Sequence, residues 1–395
     1  MQEKELPRFK DCTGCMACSD ACKHKAISID INKKGFYEIN IDSHKCTKCG
    51  LCTTVCPIIH IPQINDYKPS AYIGWSLSEK NLLNSASGGI FIELALAFFQ
   101  IFDNAIVYGA IWDKEKELVL HKSAQNSTDL IQFQNSKYLQ SNTQGIYNQI
   151  KEYLKKSYKV LFSGTPCQVA GLINFIPNNL KDNLYTVEII CHGVPSFNLV
   201  KNSKTFYHAT KLESFRTKKD GWFSSQKCTY VTKDQKIIPE KGKDIFYNMF
   251  LSEYFLRPAC NHCQYAQIPR KADITIGDYW GNKEKRNEKG TSLFYINNTH
   301  TKDIINAANI EKTKIDFFES LFISSKMTCN LYAHLEHFPR IFWIKEFIKG
   351  KKGNLLYKIY FRIWNEFIKK AQKNKNEKIK QAIKEYEKNW NHYNS

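Results

Sequence analysis

The chain has 395 residues and a formal net charge of +19. It has 43% hydrophobic and 13% aromatic residues, enough for a sizeable core. The length exceeds one ordinary domain and suggests two or three units. The first ten residues are charged, which argues against an export signal, and the longest apolar run, Ile90–Phe102, carries Glu93 and is too short to span a bilayer. The sequence lacks zinc-finger, RNA-recognition and helix-turn-helix signatures, so nucleic acid is not an expected partner.

The strongest signal is near the start. Cys12, Cys15, Cys18 and Cys22 form one C-x2-C-x2-C-x3-C run, and Cys46, Cys49, Cys52 and Cys56 form a second that ends in Pro57. This is the spacing of bacterial two-cluster ferredoxins, in which the fourth cysteine of each run ligates the other cluster. The expected ligand sets are therefore Cys12, Cys15, Cys18 and Cys56 for one 4Fe-4S cluster, and Cys46, Cys49, Cys52 and Cys22 for the other. Zinc favours C-x2-C pairs with a longer spacer, and disulfides need an oxidising compartment. The two runs and the charged N-terminus point to a cytoplasmic protein. Lys23 stands where the second run has Pro57, which is expected to leave the second cluster more exposed.

Between the runs, Ile27–Ile31 and Tyr37–Ile41 alternate apolar and polar residues around Asn32-Lys33-Lys34-Gly35, the pattern of a hairpin. Pro62 and Pro69 mark a linker. Strands are then expected at 71–75, 106–110, 159–162, 184–190 and 272–277, with helices over 90–102 and 146–154. This alternation predicts an α/β sheet.

Further cysteines occupy suggestive places. Cys167 and Cys191 each follow an expected strand, and ligands gather beyond the carboxyl ends of strands in open α/β sheets. Cys260 and Cys263 form a C-x2-C pair. A third 4Fe-4S cluster on these four is one reading; buried free thiols, a zinc site and a redox dithiol are the others. Ser85-Ala86-Ser87-Gly88-Gly89 precedes a helix and reads as an N-cap or an anion-binding turn. His192 is a candidate proton donor or an ordinary structural histidine.

Ser-Gly-Thr-Pro-Cys-Gln-Val-Ala-Gly (163–171), Ile-Cys-His-Gly-Val-Pro-Ser (190–196), Cys-x2-Cys (260–263) and Asp-Ile-Thr-Ile-Gly-Asp-Tyr-Trp-Gly (273–281) occur in that order, after Ser-Ala-Ser-Gly-Gly (85–89) and Ser-Lys-Tyr-Leu-Gln-Ser (136–141). In these motifs the chain resembles the coenzyme F-420 hydrogenase/dehydrogenase beta-subunit family, with a two-cluster ferredoxin module in front. The resemblance covers about residues 8–300. It implies a third cluster on Cys167, Cys191, Cys260 and Cys263. It also implies a flavin, FAD, held by Ser87, Gly88, Gly89, Lys137, Tyr138, Ser141, Gly164 and Thr165.

The expected architecture is an α+β ferredoxin-like dicluster module (1–66), an α/β flavin-binding domain in two parts (67–150 and 151–335) and a basic helical tail (336–395). The implied function is an iron–sulfur flavoprotein oxidoreductase working between a ferredoxin-type carrier, or a partner redox subunit, and an organic acceptor that the sequence does not name. The alternatives are a non-catalytic electron-transfer subunit and an accessory protein of surface-polysaccharide biosynthesis. Residues 340–395 hold 15 basic and 5 acidic side chains. Leu356, Tyr360, Ile363, Trp364 and Phe367 share one helical face there, which either packs on the protein's own core or lies on the inner face of a membrane.

Overall fold

The structure is a computed structural model that describes residues 5–63 and 69–323, apart from 252 and 254. The expected tail and Cys329 lie outside the described residues. The hairpin forms in the expected register: β1 (Ile27–Ile31) pairs antiparallel with β2 (Tyr37–Ile41), and Ile29 faces Ile39. Asn32 closes the turn, its Oδ1 accepting the Lys34 and Phe36 amides at 3.0 and 3.2 Å. The two cysteine runs share one backbone path. Gly14 and Lys48 take equivalent left-handed positions with φ of 69° and 55°, and Met16 and Gly50 do so with φ of 66° and 75°. Each run then turns into a short helix, α1 (Ala17–Ala21) or α2 (Leu51–Thr54). Such left-handed steps bend the chain around a centre in a way that a regular helix does not.

Among the described residues the main sheet has eight strands. They are β3 (Ser70–Ser76), β4 (Ala105–Asp113), β5 (Leu118–Ala124), β6 (Lys159–Gly164), β7 (Leu184–Ile189), β11 (Ile274–Asp278), β12 (Ser292–Ile296) and β13 (Ile310–Ile315). Their order is β13-β3-β12-β11-β7-β6-β4-β5. The central strands β11, β7, β6 and β4 run parallel, whereas β5 on one edge and β12, β3 and β13 on the other pair antiparallel. The expectation of an α/β sheet therefore holds at the centre, and the flanks are antiparallel. The parallel strands are covered on both faces and read as near-continuous apolar runs, such as Val160-Leu161-Phe162. A smaller sheet of β8 (Lys211–Ser214), β9 (Thr229–Val231) and β10 (Lys236–Ile237) sits apart.

One face of the main sheet is covered by the helix over Ile90–Ile101, whose Leu94, Ala95 and Phe98 are fully buried. Its Glu93 is also buried and accepts from Ser76 Oγ and Asn81 Nδ2 at 2.5 and 2.8 Å, so the carboxylate is satisfied inside the core. Among the described residues no helix is long and apolar enough to cross a membrane. The other face carries the helices over Ile146–Lys155 and Pro166–Phe175.

The cysteine module is built into this second face. Cys15, Ala17 and Val55 share a core with Ile106, Tyr147, Phe162 and Val169. Gly171 permits the approach, since a Cβ there would lie 3.1 Å from Cys15 Sγ. Thr143 Oγ1 donates to the Cys15 carbonyl at 2.9 Å, and the Tyr147 hydroxyl lies 2.9 Å from the same oxygen. Gln140 Nε2 reaches the Thr13 and Gly14 carbonyls at 2.8 Å each. The hairpin tip is held by Ser196 Oγ, which donates to the Lys34 carbonyl at 2.6 Å. The stretch that holds the two cysteine runs therefore shares its core with the larger domain.

Asp20 supplies an N-terminal cap to a helix of the larger domain. Its carboxylate accepts the Gly145 and Tyr147 amides at 2.6 and 2.9 Å, ahead of the Ile146–Lys155 helix. Burial raises the Asp20 pKa, and the amide hydrogen bonds oppose that rise. Asp20→Ala is expected to cost about 1–2 kcal/mol, the usual range for a lost cap. Urea denaturation of anaerobically prepared protein measures this as a lower midpoint, whereas an unchanged midpoint denies the cap its role.

Candidate cluster and cofactor sites

The structure brings cysteines of the two N-terminal runs close to one another. Cys12, Cys15, Cys18 and Cys56 are buried. The Cys18 thiol is pushed up chiefly by burial and further by Cys12, Cys56 and Cys52. Cys56 is raised by burial, with Cys12 and Cys52 adding to the rise. Cys52 is raised by burial and feels Cys22 and Cys46. The fourth cysteine of each run therefore lies with the other run, as the spacing requires. Among the described residues no three His, Cys, Asp or Glu side chains close on a single ion.

The two sets differ in exposure. Cys22, Cys46 and Cys52 are half-buried and Cys49 is exposed. The Cys49 thiol is lowered first by the Leu51 amide, with Thr47 and Lys23 assisting. The sequence ties this exposure to Lys23 in place of a proline. In the structure Cys15 of the first set is built into the core shared with the larger domain, and no cysteine of the second set belongs to a buried cluster among the described residues.

Cys167, Cys191, Cys260 and Cys263 line one small cavity together with Thr13, Gln140, Thr165, His192 and Arg270. Cys167 opens the helix after β6, and Cys191 follows β7. Cys260 lies in the turn Pro258–His262, with Cys263 just after it. Burial raises the Cys167 thiol to about 12, with Cys263 and Cys191 adding to the rise. Cys260 is raised by burial, then by Cys191, Cys263 and Cys167. The loop carrying Cys260 and Cys263 is anchored by Arg270, which pairs with buried Glu188 on β7 and donates from Nη1 to the Tyr265 carbonyl at 2.7 Å. Cys228 stands apart, fully buried among Leu212, Phe215 and Tyr230 as a small hydrophobe. His192 lies with the cysteine cavity, 3.4 Å from Glu253 and stacked edge-on against Phe250.

A larger cavity of about 300 Å³ opens beside this one at the carboxyl ends of β6, β7 and β11. Ser87, Gly89, Lys137, Tyr138, Ser141, Gly164 and Thr165 line it, and Gly88 does not. Gly88 is a packing residue: its amide donates to Ser292 Oγ at 2.9 Å, and a Cβ there would lie 2.4 Å from the Gly74 carbonyl. The serines do not cap the following helix. Ser87 Oγ donates to the Thr291 carbonyl at 2.7 Å, and Gly89 holds the cap position with φ of 78°. Lys137 is also committed within the protein, its Nζ donating to the Phe133 and Gln134 carbonyls at 2.8 and 2.7 Å. Burial lowers its pKa to about 7. Sequence reasoning missed Arg216 and Asp278, an ion pair at 2.8 Å in the cavity wall, because nothing in their spacing links β11 to the chain after β8.

His121 from β5 lines the same cavity, stacks on Phe162 with centroids 5.1 Å apart, and has Nε2 2.8 Å from the Ser163 carbonyl. Burial lowers its pKa from 6.5 to about 4. The folded protein therefore holds His121 neutral while the unfolded chain takes up a proton first. His121 adds no pH dependence above about pH 6.5, and stability falls as the pH drops from there towards 4. A His121→Gln variant is expected to flatten the stability–pH slope in that window; equal slopes for both proteins sink this reading.

Residues 157–318 match the family model for the C terminus of the coenzyme F420 hydrogenase/dehydrogenase beta subunit, and residues 11–58 match the 4Fe-4S dicluster domain. The coenzyme F420-dependent sulfite reductase of Methanocaldococcus jannaschii is 26% identical over 335 residues, covering 80% of this chain and 50% of the relative. The chain thus spans about half the length of that curated relative. The solved F420-reducing [NiFe] hydrogenase complex from Methanosarcina barkeri has a chain that is 17% identical, with a TM-score of 0.45 over 83% of this chain and 94% of that one.

Proposed function

We propose that this chain, which carries a 4Fe-4S dicluster domain and the C-terminal domain of the coenzyme F420 hydrogenase/dehydrogenase beta subunits, is an iron–sulfur flavoprotein oxidoreductase. Its partners in this reading are a ferredoxin-type carrier and an organic acceptor. The observation that carries it is the continuity of three thiol sets with one cavity. Cys52 of the exposed set is close enough to perturb Cys18 and Cys56, and Cys15 is likewise perturbed by Cys167. Thr165 then lines both the cavity of Cys167 and the larger cavity, its Oγ1 3.2 Å from Cys167 Sγ.

When bound, 4Fe-4S clusters carry one electron at a time and a flavin takes one or two. The chain's part is to hold these groups in order and exclude water between them. The thiolates of Cys12, Cys15, Cys18 and Cys56, of Cys22, Cys46, Cys49 and Cys52, and of Cys167, Cys191, Cys260 and Cys263 would hold three clusters. The larger cavity would take the FAD ring. Its volume of about 300 Å³ is at the small end of cofactor sites. Phe91, Phe133, Ile190 and Ile276 supply apolar walls, while Ser141, Gly164 and Thr165 form the wall nearest Cys167. Ser87, Gly89 and Lys137 would contribute backbone groups, because the Ser87 and Lys137 side chains are already engaged. A second reading, an electron-transfer module serving a separate catalytic subunit, draws on the half-length match to the sulfite reductase.

Anaerobic purification followed by iron, sulfide and flavin quantification separates these readings. Roughly twelve irons per chain are expected for three clusters, against roughly eight for two. Bound FAD is expected in the enzyme, and full iron without flavin favours the electron-transfer module. Stoichiometric zinc without acid-labile sulfide overturns the whole assignment.

The exposed thiol set is the natural entry for the carrier. Lys23, Lys25, Lys45 and Lys48 are exposed on the two loops that supply Cys22, Cys46 and Cys49, and Lys45 pairs with Asp42 at 3.3 Å. Such a basic rim suits an acidic protein partner. Lys23→Glu with Lys48→Glu is expected to slow reduction by an acidic ferredoxin several-fold at low ionic strength, with the difference fading in high salt. Equal rates at low salt remove this face from carrier docking.

A further inference from the structure

Arg257 is fully buried, and among the described residues no carboxylate pairs with it. A lone guanidinium in a protein interior is costly unless something negative or strongly polar receives it. Its Nε donates to the Cys12 carbonyl at 2.5 Å, and its Nη1 donates to the Tyr37 carbonyl at 2.7 Å and approaches Gln140 Oε1 at 3.4 Å. Its remaining nitrogen, Nη2, is buried and has no hydrogen-bond partner among the described residues. The guanidinium packs directly on Gly14, between Cys12 and Cys15: a Cβ on Gly14 would lie 3.0 Å from both Arg257 Cζ and Nη1. Phe9 covers it, its ring centroid 5.0 Å from Cζ. The same residue's main chain holds the other set of thiols. Its amide donates to the Val194 carbonyl at 2.9 Å, and its carbonyl accepts the Cys260 amide at 2.8 Å.

We propose that Arg257 is a positioning residue at the junction of the Cys12 and Cys167 thiol sets. Its side chain places an unshared positive charge and a free N–H against the cluster on Cys12, Cys15, Cys18 and Cys56, favouring that cluster's reduced form. The inference rests on the cluster assignment above and deepens it. A 4Fe-4S group with four thiolates is anionic in both of its usual states and gains one more negative charge on reduction. A fixed cation in a dry site therefore stabilises the reduced state more than the oxidised one. Hydrogen bonds and charges around the sulfurs are among the protein's means of setting such a potential. The two-sided attachment also fixes the Cys12 loop relative to the Cys260 turn.

The test uses the full-length, anaerobically purified protein with Arg257→Lys, Arg257→Gln and Arg257→Met. Iron and sulfide are counted first, and the midpoint of each cluster is then followed by EPR-monitored redox titration. The signal of the Cys12 set is identified by its change in Cys12→Ser. The expected result is full iron, a lower midpoint for that cluster alone in the Gln and Met variants, and a midpoint nearer wild type in Arg257→Lys. Unchanged midpoints in all three iron-replete variants overturn the inference. Should the neutral variants fail to load iron, Arg257→Lys decides: full iron supports the inference, and iron loss there too assigns the side chain a purely structural role and overturns it. Wild-type protein without iron would instead defeat the cluster assignment itself, which is a distinct result.

Discussion

The seam around Cys15 is the constraint on which the rest of the molecule depends. A cysteine of the first run, with Ala17 and Val55, completes the core beneath the parallel sheet, and the missing side chain of Gly171 lets Cys15 come within contact of that helix. Thr143 and Tyr147 then meet the Cys15 carbonyl. Interiors are packed as densely as organic crystals, so the module cannot shift here without opening a cavity. That packing keeps Cys15 close enough to Cys167 for Cys167 to add to the rise of the Cys15 thiol.

Docking along one face has a second consequence. The thiols of the Cys12 set lie in a low-dielectric interior, while those of the Cys46 set remain near water and a basic rim. Two runs with nearly the same backbone path thus acquire different electrostatic settings from their surroundings alone. Solvent exposure and nearby charge are the variables that separate the potentials of otherwise identical clusters. Burial increases from the exposed Cys49 to the buried Cys15, which lies on the side of the cavity at the carboxyl ends of β6, β7 and β11. That is where open α/β sheets place their ligands.

In the cavity wall, side chains that look available in the sequence are engaged by the fold. Lys137 ties down the turn before it, Ser87 and Gly88 fasten the helix entrance to the loop and strand around Thr291 and Ser292, and Arg216 pairs with Asp278. What remains toward the cavity is backbone, small residues and aromatic or aliphatic surface, together with His121, Arg216 Nη2 and Asp278 Oδ1; the last two atoms have no hydrogen-bond partner among the described residues.

The sequence by itself determined the elements whose information is local. The C-x2-C-x2-C-x3-C runs place their ligands through short-range backbone turns, and the hairpin between them follows from period-two alternation and an Asn-Gly-bounded turn. The parallel strands were legible because burial on both faces demands continuous apolar runs. The antiparallel flanks were not, since β3 pairs with β12 and β13, more than two hundred residues away, and nothing in its own sequence selects those partners. The sequence offered a meeting of Cys167, Cys191, Cys260 and Cys263 as one reading among several, which their spacing left open; tertiary structure alone decided that Gly88 is a packing residue and that Arg257 lies against Cys12. Each of these is a contact between distant segments, fixed by the packing of a whole core rather than by any residue spacing along the chain.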